Sequence, residues 1–435
     1  MNYYSLNDNA PKVGFEEAVT RGIAPDKGLY FPESITPLPT SFFENIEDFS
    51  DNEIAYQAIQ QFVGDSIPEN ALKEIIADVL SFDFPVVEIE ENIATLELFH
   101  GPTMAFKDVG ARFMARCLGY FSSQKEKQEP VTVLVATSGD TGGAVARGFY
   151  KVEGVDVVIL YPTGKVSEVQ EKQLTTLGEN ITALEVDGVF DDCQRMVKKA
   201  FLDNEITEKR PLTSANSINV ARWLPQLFYF LFAYKQAKKQ GKELVFSVPS
   251  GNFGNVCAGM VAHKLGMPVS QFVASVNSNK VVPEYLKTGK YAPKPSVATI
   301  SNAMDVGDPS NFIRIQKLFN NDLDALSRKL TSYSFSDDET REAIKHIYEN
   351  TGYIADPHGA VGYLGLKKYR ESHPDTYGIF LETAHPVKFL PVMEGLIDTK
   401  IEIPGQIKAV MDKQKVALKI KDYNGFKNFL IKKSS

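Results

Sequence analysis

The sequence predicts an α/β protein built on a doubly wound parallel sheet, with a small separate domain at its amino terminus. Three observations lead to this prediction. From Phe84 onward, short β-branched runs alternate with amphipathic helical stretches. Those runs are apolar along almost their whole length, which is typical of strands covered by helices on both faces. The residues before them have a different character, polar and turn-rich at first.

The amino-terminal segment shows helical periodicity after its polar start. Apolar residues recur around Ala55, Ile59 and Phe62, and again over 72–80. We therefore expect a small amino-terminal domain over residues 1–90.

Strands and helices alternate in the remainder of the chain. The predicted strands are Val131–Ala136, Val155–Tyr161, Ile181–Val186, Leu244–Val248, Phe272–Val276 and Tyr377–Leu381. The predicted helices between them are 109–123, 141–151, 190–202, 222–239 and 254–265. This is the βαβ rhythm of a parallel sheet. The polar stretch 124–129 is predicted to be a loop, and 289–335, with weak periodicity and several prolines, is predicted to be irregular.

Composition narrows the class of protein. With 435 residues, of which 43% are hydrophobic and 23% charged, the chain can bury a substantial core. The net charge of −8 comes from mixed acids and bases without a basic stripe, so we expect no nucleic-acid partner. No apolar run approaches the length of a membrane span, and we expect a cytoplasmic protein. Cys117, Cys193 and Cys257 are far apart, which favours buried apolar roles over a disulfide framework or a metal site.

Glycine-rich loops follow several of the predicted strands. Ligands of open α/β sheets bind beyond the carboxyl ends of the strands, so these loops are the expected place for function. Residues 249–255 put two glycines and small polar residues before a helix, an arrangement that can bind a phosphate through backbone N–H groups. Residues 137–142 repeat the pattern and suit a second anion, such as an amino-acid carboxylate. Both loops are also what a simple tight strand-to-helix connection requires.

Lys107 is the candidate for covalent chemistry. It follows Met104, Ala105 and Phe106 at the start of a predicted helix. A desolvated amine with a lowered pKa is what Schiff-base chemistry uses, although most lysines are solvated surface groups. The residues by themselves leave both readings open.

Six motifs in a fixed order resolve this ambiguity. The segments HGPTMAFKD, ATSGDTG, SANSIN, SVPSGNFGN, SNAMDV and ETAHPVKF follow one another between residues 100 and 389, and 28–32 adds the segment GLYFP. The resemblance that they carry covers almost the whole chain. In this order and spacing the chain resembles the threonine synthases of bacterial and fungal type, a family of fold-type II pyridoxal-phosphate (PLP) enzymes. Single motifs are shared across that larger group, whereas the ordered set is much more specific.

The resemblance implies a fold and a set of domains. The implied fold is that of fold-type II PLP enzymes, similar to the tryptophan synthase β subunit, with two doubly wound parallel-sheet units and the small amino-terminal domain. The PLP-dependent catalytic region would cover 91–400, with its smaller unit at roughly 110–240, and a carboxy-terminal extension would cover 401–435. The protein would be a monomer or a homodimer.

The resemblance also implies how the cofactor is held. Lys107 would bind PLP covalently and carry protons at Cα and Cβ of the substrate. The loop after the fourth predicted strand would hold the cofactor phosphate through Gly251, Asn252, Phe253, Gly254 and Asn255. Thr383 would face the pyridine nitrogen with a neutral hydroxyl. A hydroxyl does not enforce full protonation of that nitrogen, so the cofactor would withdraw electrons less strongly. Asp140 would lie near the phenolic oxygen of the cofactor.

The implied reaction is that of a carbon–oxygen lyase acting on a phosphate, the last step of threonine biosynthesis. O-phospho-L-homoserine and water would give L-threonine and phosphate by γ-elimination followed by β-addition of water. The substrate carboxylate would be bound by Ser138, Gly139 and Thr141. The substrate phosphate would be bound by the segment Ser214, Asn216 and Ser217 with Arg222, and Lys165 would be a second cation.

Two other functions remain open from sequence. The chain could be another fold-type II enzyme, such as a threonine dehydratase or a sulfhydrylase, but the SANSIN segment with Arg222 serves a substrate phosphate that those enzymes lack. It could also be a non-catalytic binding protein with the same fold, against which Lys107 argues. The histidines near the motifs, His100, His358 and His385, show no metal-ligand spacing, and no metal is expected.

Overall fold

Two parallel sheets and an amino-terminal helical part make up the computed structural model, which describes residues 1–125 and 130–432. Residues 126–129, within the predicted loop 124–129, lie outside the described residues. The amino-terminal part pairs two short antiparallel strands and packs its helices beside them. Its elements are β1 (Tyr3–Ser5), α1 (Phe15–Arg21), β2 (Tyr30–Pro32), α2 (Thr40–Glu44), α3 (Asp51–Val63) and α4 (Glu69–Val79).

Local sequence signals fix the limits of the amino-terminal helices. Ser50 caps α3 in a capping box with Glu53, and the helix ends at Gly64, whose φ is 60°. The periodic residues predicted from sequence, among them Ala55 and Ile59, are buried on one face of α3. The helical periodicity predicted for this segment is therefore confirmed.

The next part of the chain begins with a hairpin and then alternates strands with helices. Its elements are β3 (Val86–Glu90), β4 (Ile93–Glu97), α5 (Lys107–Ser123), β5 (Val131–Ala136), α6 (Asp140–Phe149), β6 (Val155–Pro162), α7 (Glu168–Thr175), β7 (Ile181–Val186), α8 (Phe190–Ala200), α9 (Asn204–Thr207), β8 (Leu212–Ser214), α10 (Val220–Trp223) and α11 (Leu227–Ala237).

The remainder of the chain completes both sheets. Its elements are β9 (Leu244–Pro249), α12 (Gly254–Lys264), β10 (Gln271–Val276), α13 (Val281–Thr288), α14 (Phe312–Leu318), α15 (Leu323–Ser327), β11 (Leu330–Ser334), α16 (Asp337–Thr351), α17 (Pro357–Arg370), β12 (Tyr377–Glu382), α18 (Leu390–Met393), α19 (Gly405–Met411), β13 (Leu418–Ile420) and α20 (Tyr423–Lys432).

The two main sheets share the parallel topology that the sequence predicted. The larger sheet has the order β11-β10-β9-β12-β4-β3 and is parallel except for the antiparallel β3–β4 pair. The smaller sheet has the order β13-β7-β6-β5-β8 and is parallel throughout. The edge strand β13 comes from the carboxy-terminal extension, so the chain returns to the smaller sheet after completing the larger one. The proposed domain limits stay a prediction.

The six predicted strands are confirmed to within one residue at each end. The predicted helix 222–239 is divided, because a 3-10 turn at Leu224–Gln226 that contains Pro225 separates α10 from α11. The prediction of irregular structure over 289–335 is wrong in its second half, where α14, α15 and β11 form. Strand β11 was not predicted, because it is a half-exposed edge strand without an apolar run.

The amino-terminal part packs directly on the SANSIN segment and on the residues around it. The ring of Phe31 stacks on Trp223 with centroids 6.1 Å apart. Arg314, fully buried, donates to the carbonyl of Tyr30 at 2.9 Å and lies 4.8 Å from the Trp223 ring centroid. Asn219 donates to the carbonyl of Val19 at 2.8 Å. These contacts fix the segment that carries the SANSIN motif.

Candidate active site

The predicted site loops meet at the carboxyl ends of β4, β5, β9 and β12. Strands β4 and β12 are neighbours, and the loops that leave them are hydrogen-bonded to each other. Phe106 N–H donates to the carbonyl of Thr383 at 2.8 Å, and Ala105 bridges Ala384. Lys107, at the start of α5, is therefore held beside Thr383.

Lys107 lies in an environment that favours its neutral form. Its side chain is half-buried. Burial lowers the pKa of Lys107, the charges of Lys388 and Arg222 lower it further, and only Asp140 opposes them. A neutral amine is the nucleophile that Schiff-base chemistry needs.

The loop Gly251–Asn255 has the geometry of an anion site. Phe253 adopts a left-handed backbone with φ 59°, and α12 begins at Gly254. The backbone N–H groups of this loop donate to no described residue, and they lie at the positive end of an 11-residue helix. The side-chain amide of Asn255 is buried and neither of its polar atoms has a partner. These unsatisfied donors fit a bound phosphate.

Neighbouring segments hold this loop in place. The amide of Asn252 donates to Ser217 Oγ at 2.7 Å and accepts from Ser310 N–H at 2.6 Å. Asn311 donates to the Asn252 carbonyl at 3.0 Å. A side chain at Gly251 would meet the backbone of Met304, because a Cβ there would lie 2.7 Å from its Cα. The cradle is therefore fixed before any ligand binds.

The second predicted anion loop lies at the start of α6. Thr137 Oγ1 accepts from the N–H groups of Gly139 and Gly142 at 3.0 and 2.9 Å, which shapes the turn. Gly139 has φ 148°, a conformation that favours glycine. Ser138 and Thr141 are half-buried, and their hydroxyls bond to no described residue. Two open hydroxyls at a helix start suit a carboxylate ligand.

Asp140 is paired with a lysine that the sequence analysis did not single out. Lys388 Nζ lies 2.6 Å from Asp140 Oδ1, and Gln170 Nε2 donates to the same oxygen at 2.9 Å. Burial raises the pKa of Asp140, but Lys388 and Lys107 outweigh this and hold it below its ordinary value. Lys388 lies in the quoted ETAHPVKF segment, where nothing in the pattern distinguished it from a surface lysine.

The SANSIN segment runs between the two anion loops. Asn216 Nδ2 donates to the carbonyl of Ala136 at 3.1 Å, next to the 137–142 loop, and its N–H donates to Ser214 Oγ at 3.3 Å. Ser217, through Asn252, contacts the 251–255 loop. The segment thus brings the candidate cofactor and substrate residues together.

Arg222 is buried rather than exposed on a helix surface. It donates to the carbonyl of Ala215, while its Nε, also buried, has no partner. Burial lowers the pKa of Arg222 to about 10, against the opposing charges of Tyr229 and Asp108. A buried guanidinium with an unused donor is a strong candidate for binding an anion. Lys165, by contrast, is exposed in the turn after β6 and forms no ion pair with a described residue.

A second group of buried acids lies behind Thr383. Strands β4 and β12 end side by side at Glu97 and Glu382. Glu382 is fully buried, and Asp356 N–H donates to its carboxyl at 3.3 Å. Burial raises the pKa of Glu382 well above its ordinary value, and the neighbouring Asp356 raises it further. His358 Nδ1 lies 2.5 Å from Asp356 Oδ1. The sequence analysis missed this carboxyl pair because its members lie far apart along the chain.

The expectations about cysteines and metals can be compared with the described part of the chain. Cys117, Cys193 and Cys257 are buried and free, as predicted. Among residues 1–125 and 130–432, no group of three His, Cys, Asp or Glu side chains is arranged to hold a metal ion. Over the same ranges, no helix has the length and apolar character needed to cross a membrane.

Comparisons with known proteins agree with this geometry. Residues 88–379 match the family described as "Pyridoxal-phosphate dependent enzyme". Residues 2–80 match "Threonine synthase N terminus" and residues 359–429 match "Threonine synthase, C-terminal". The chain is 42% identical to the threonine synthase of Buchnera aphidicola subsp. Baizongia pistaciae over 436 residues, covering 100% of each.

Solved structures show the same similarity. The crystal structure of threonine synthase from Escherichia coli superposes with a TM-score of 0.92 at 39% identity, covering 100% of both chains. The structure of PLP-bound threonine synthase from Brucella melitensis gives a TM-score of 0.92 at 30% identity, covering 100% of this chain and 99% of the other. The predicted fold class and the predicted cofactor are confirmed.

Proposed function

The chain belongs to the threonine synthase family of PLP-dependent enzymes, and from that membership we propose that its substrate is O-phospho-L-homoserine, converted with water into L-threonine and phosphate. The reaction class is that of a PLP-dependent lyase in threonine biosynthesis. The observation that carries the substrate proposal is Arg222, a buried cation with an unused donor whose charge acts on the Lys107 amine. A leaving phosphate requires such a cation close to the reacting carbons.

The cofactor residues of this proposal fit the group chemically. Lys107 would hold PLP through its amine, and the Gly251–Asn255 loop, with the unpartnered Asn255 amide, would hold its phosphate. Thr383 would place a neutral hydroxyl at the ring nitrogen. When bound, the cofactor supplies an electron sink for the electrons released as the bond from Cα to hydrogen breaks.

The substrate residues of this proposal divide between carboxylate and phosphate. The free hydroxyls of Ser138 and Thr141, with the backbone at Gly139, would bind the carboxylate and orient the bond from Cα to hydrogen. The Lys107 amine, whose pKa is lowered by burial, would accept that proton and later transfer the proton at Cβ.

Phosphate departure would be assisted by charge. Arg222 would neutralise the developing negative charge on the leaving oxygen, with the SANSIN residues Ser214, Asn216 and Ser217 as further donors. Lys165 is the second cation of the proposal. It is exposed in the turn that follows β6. We also propose that the protein is a monomer or a homodimer and that it is located in the cytoplasm.

The proposed substrate is tested with the purified holoenzyme. O-phospho-L-homoserine should give phosphate and L-threonine in equal amounts, whereas L-serine and O-acetyl-L-serine should turn over slowly or not at all. Rapid deamination of serine or threonine, without turnover of O-phospho-L-homoserine, would identify a dehydratase instead and refute the proposal.

A further inference from the structure

A buried lysine contacts three segments of the candidate site. Lys388 lies in the 3-10 turn Pro386–Phe389 that follows β12, and its side chain is fully buried. Its Nζ lies 2.6 Å from Asp140 Oδ1 and donates to the carbonyl of Thr103 at 2.9 Å. Asp140 begins α6 beside the smaller sheet, and Thr103 lies in the loop that leads to Lys107. The Lys388 ammonium therefore connects the larger sheet, the smaller sheet and the Lys107 loop.

The Asp140 carboxylate is held asymmetrically by its neighbours. Its Oδ1 forms the ion pair with Lys388 and accepts a hydrogen bond from Gln170 Nε2. Its Oδ2 accepts no hydrogen bond from a described residue. Gln170 is packed onto the turn before α6, where a Cβ at Gly139 would lie 2.5 Å from its side chain. One carboxylate oxygen is thus engaged twice, and the other has no hydrogen-bond partner among the described residues.

The Thr103 contact reaches the other side of Lys107. Thr103 donates through its hydroxyl to Asp108 Oδ1 at 2.6 Å and through its N–H to Asp108 Oδ2 at 2.8 Å. Gln173 Nε2 also donates to the Thr103 carbonyl, at 3.1 Å. Since Asp108 directly follows Lys107, Lys388 braces the turn from which the Lys107 side chain emerges.

Charge balance at Lys107 depends on the same ion pair. Burial lowers the pKa of Lys107, and after burial the rise caused by Asp140 exceeds the fall caused by Lys388. A buried carboxylate without a cation partner takes up a proton. Lys388 is the strongest of the charges that hold Asp140 ionised, ahead of Lys107, so loss of Lys388 would favour protonation of Asp140, and the net result at Lys107 would be a lower pKa.

We propose that Lys388 is a positioning residue of the reaction: it keeps Asp140 ionised and oriented toward the Lys107 amine and fixes the turn that carries Lys107. The inference rests on the proposed function only in taking Lys107 as the amine that binds the cofactor. It assigns a task to a residue whose side chain does not itself need to touch the substrate.

The test is a double-mutant cycle in the holoenzyme. Lys388→Met should shift the pH titration of the visible absorbance band of bound cofactor to lower pH and reduce kcat at least about 10-fold. In the Asp140→Asn background only the direct effect of the Lys388 charge on Lys107 remains, so Lys388→Met should there shift the midpoint to higher pH, opposite to its effect when Asp140 is present. The same shift in both backgrounds, or no shift in either, would overturn the proposal.

A matched control separates this role from the simple loss of an ion pair. Lys415 pairs with Glu171 at 2.7 Å and Glu185 at 3.0 Å, away from the cavity. Lys415→Met should leave the cofactor titration and kcat as in the wild type. An equal shift in that variant would show that the Lys388 effect is a general consequence of losing a lysine ion pair.

The cycle stays informative if Lys388→Met alone does not fold. The double variant Lys388→Met/Asp140→Asn contains no unpaired buried charge and should fold. Its cofactor titration should lie at higher pH than that of Asp140→Asn, because the Lys388 charge that lowers the pKa of Lys107 is gone, and a shift to lower pH would overturn the proposal. Should wild-type enzyme fail to release phosphate from O-phospho-L-homoserine, the substrate proposal fails, whereas the absorbance titrations still decide the role of Lys388.

Discussion

In the proposed mechanism Lys107 combines covalent and proton-transfer roles, and its surroundings lower the pKa of its amine. Lys107→Ala removes both roles but no buried partner, so the fold should persist while kcat falls by at least about 1,000-fold. Steady-state assays with circular dichroism would measure both effects. Lys345→Ala, at an exposed position of α16, is the control and should behave as wild type. Substantial turnover by Lys107→Ala would remove the lysine from the mechanism.

Arg222 tests the assignment of the substrate phosphate. Charge-assisted hydrogen bonds contribute ~1.5–3 kcal/mol, so Arg222→Leu should reduce kcat/KM for O-phospho-L-homoserine about 10- to 150-fold. The content of bound cofactor should not change, and slow deamination of serine should be little affected. Arg222→Lys keeps the charge but loses the planar fork, so its kcat/KM should be intermediate. Loss of cofactor from Arg222→Leu would instead place this arginine at the cofactor.

In the proposal, the loop between β9 and α12 holds the cofactor phosphate through its backbone geometry. Gly251→Ala puts a Cβ 2.7 Å from Met304 Cα, and two backbone segments must then separate. We expect weaker cofactor binding by about 10-fold or more and a smaller loss in kcat at saturating cofactor. Fluorescence titration of the cofactor-free enzyme measures the affinity. Gly405→Ala, at the open first position of α19, is the control, and equal affinities in the two variants would contradict the account.

The buried carboxyl of Glu382, at the paired ends of β4 and β12, should make the free energy of unfolding depend on pH. Burial and Asp356 raise the pKa of Glu382 in the folded chain. The folded chain therefore holds a proton that the unfolded chain has lost, and stability falls as pH rises from about 4.3, the unfolded pKa, toward the folded pKa. Gln cannot ionise, so Glu382→Gln should gain stability over wild type as pH rises through this window. Urea unfolding at several pH values measures this gain.

Two outcomes would separate the Glu382 effect from a general one. The exposed Glu74→Gln should show no pH-dependent gain in the free energy of unfolding. A constant difference between Glu382→Gln and wild type at all pH values would mean that the pKa of Glu382 is the same in the folded and unfolded chains, which would contradict this account.

Over the whole molecule, local patterns predicted the framework well. Strands β5, β6, β7, β9, β10 and β12 are buried apolar runs, so a one-dimensional pattern identifies them. Strands β8, β11 and β13 are short edge strands, and pairing partners distant in sequence define them. Tertiary context decides such elements, and propensity does not reveal them.

The candidate site divides in the same way. Lys107 and the 251–255 loop stood out because residue types and spacing carry their chemistry. The Lys388–Asp140 pair joins residues 248 positions apart. Glu382 likewise meets Asp356 only through the packing of β12 against the start of α17, where His358 contacts the same Asp356 carboxylate. A lysine or glutamate is usually exposed, and only the folded chain shows that these are buried.

The central claim is that the chain breaks the bond between Cγ and oxygen of a phosphorylated amino acid and adds water at Cβ. The reaction of wild-type holoenzyme with O-phospho-L-homoserine in ¹⁸O-labelled water tests this directly. Lyase chemistry predicts ¹⁸O in the hydroxyl group of the L-threonine product and none in the phosphate, analysed by mass spectrometry at early times. If ¹⁸O appeared in the phosphate with homoserine as the co-product, the enzyme would be cleaving the phosphorus–oxygen bond by hydrolysis, and the account would be wrong.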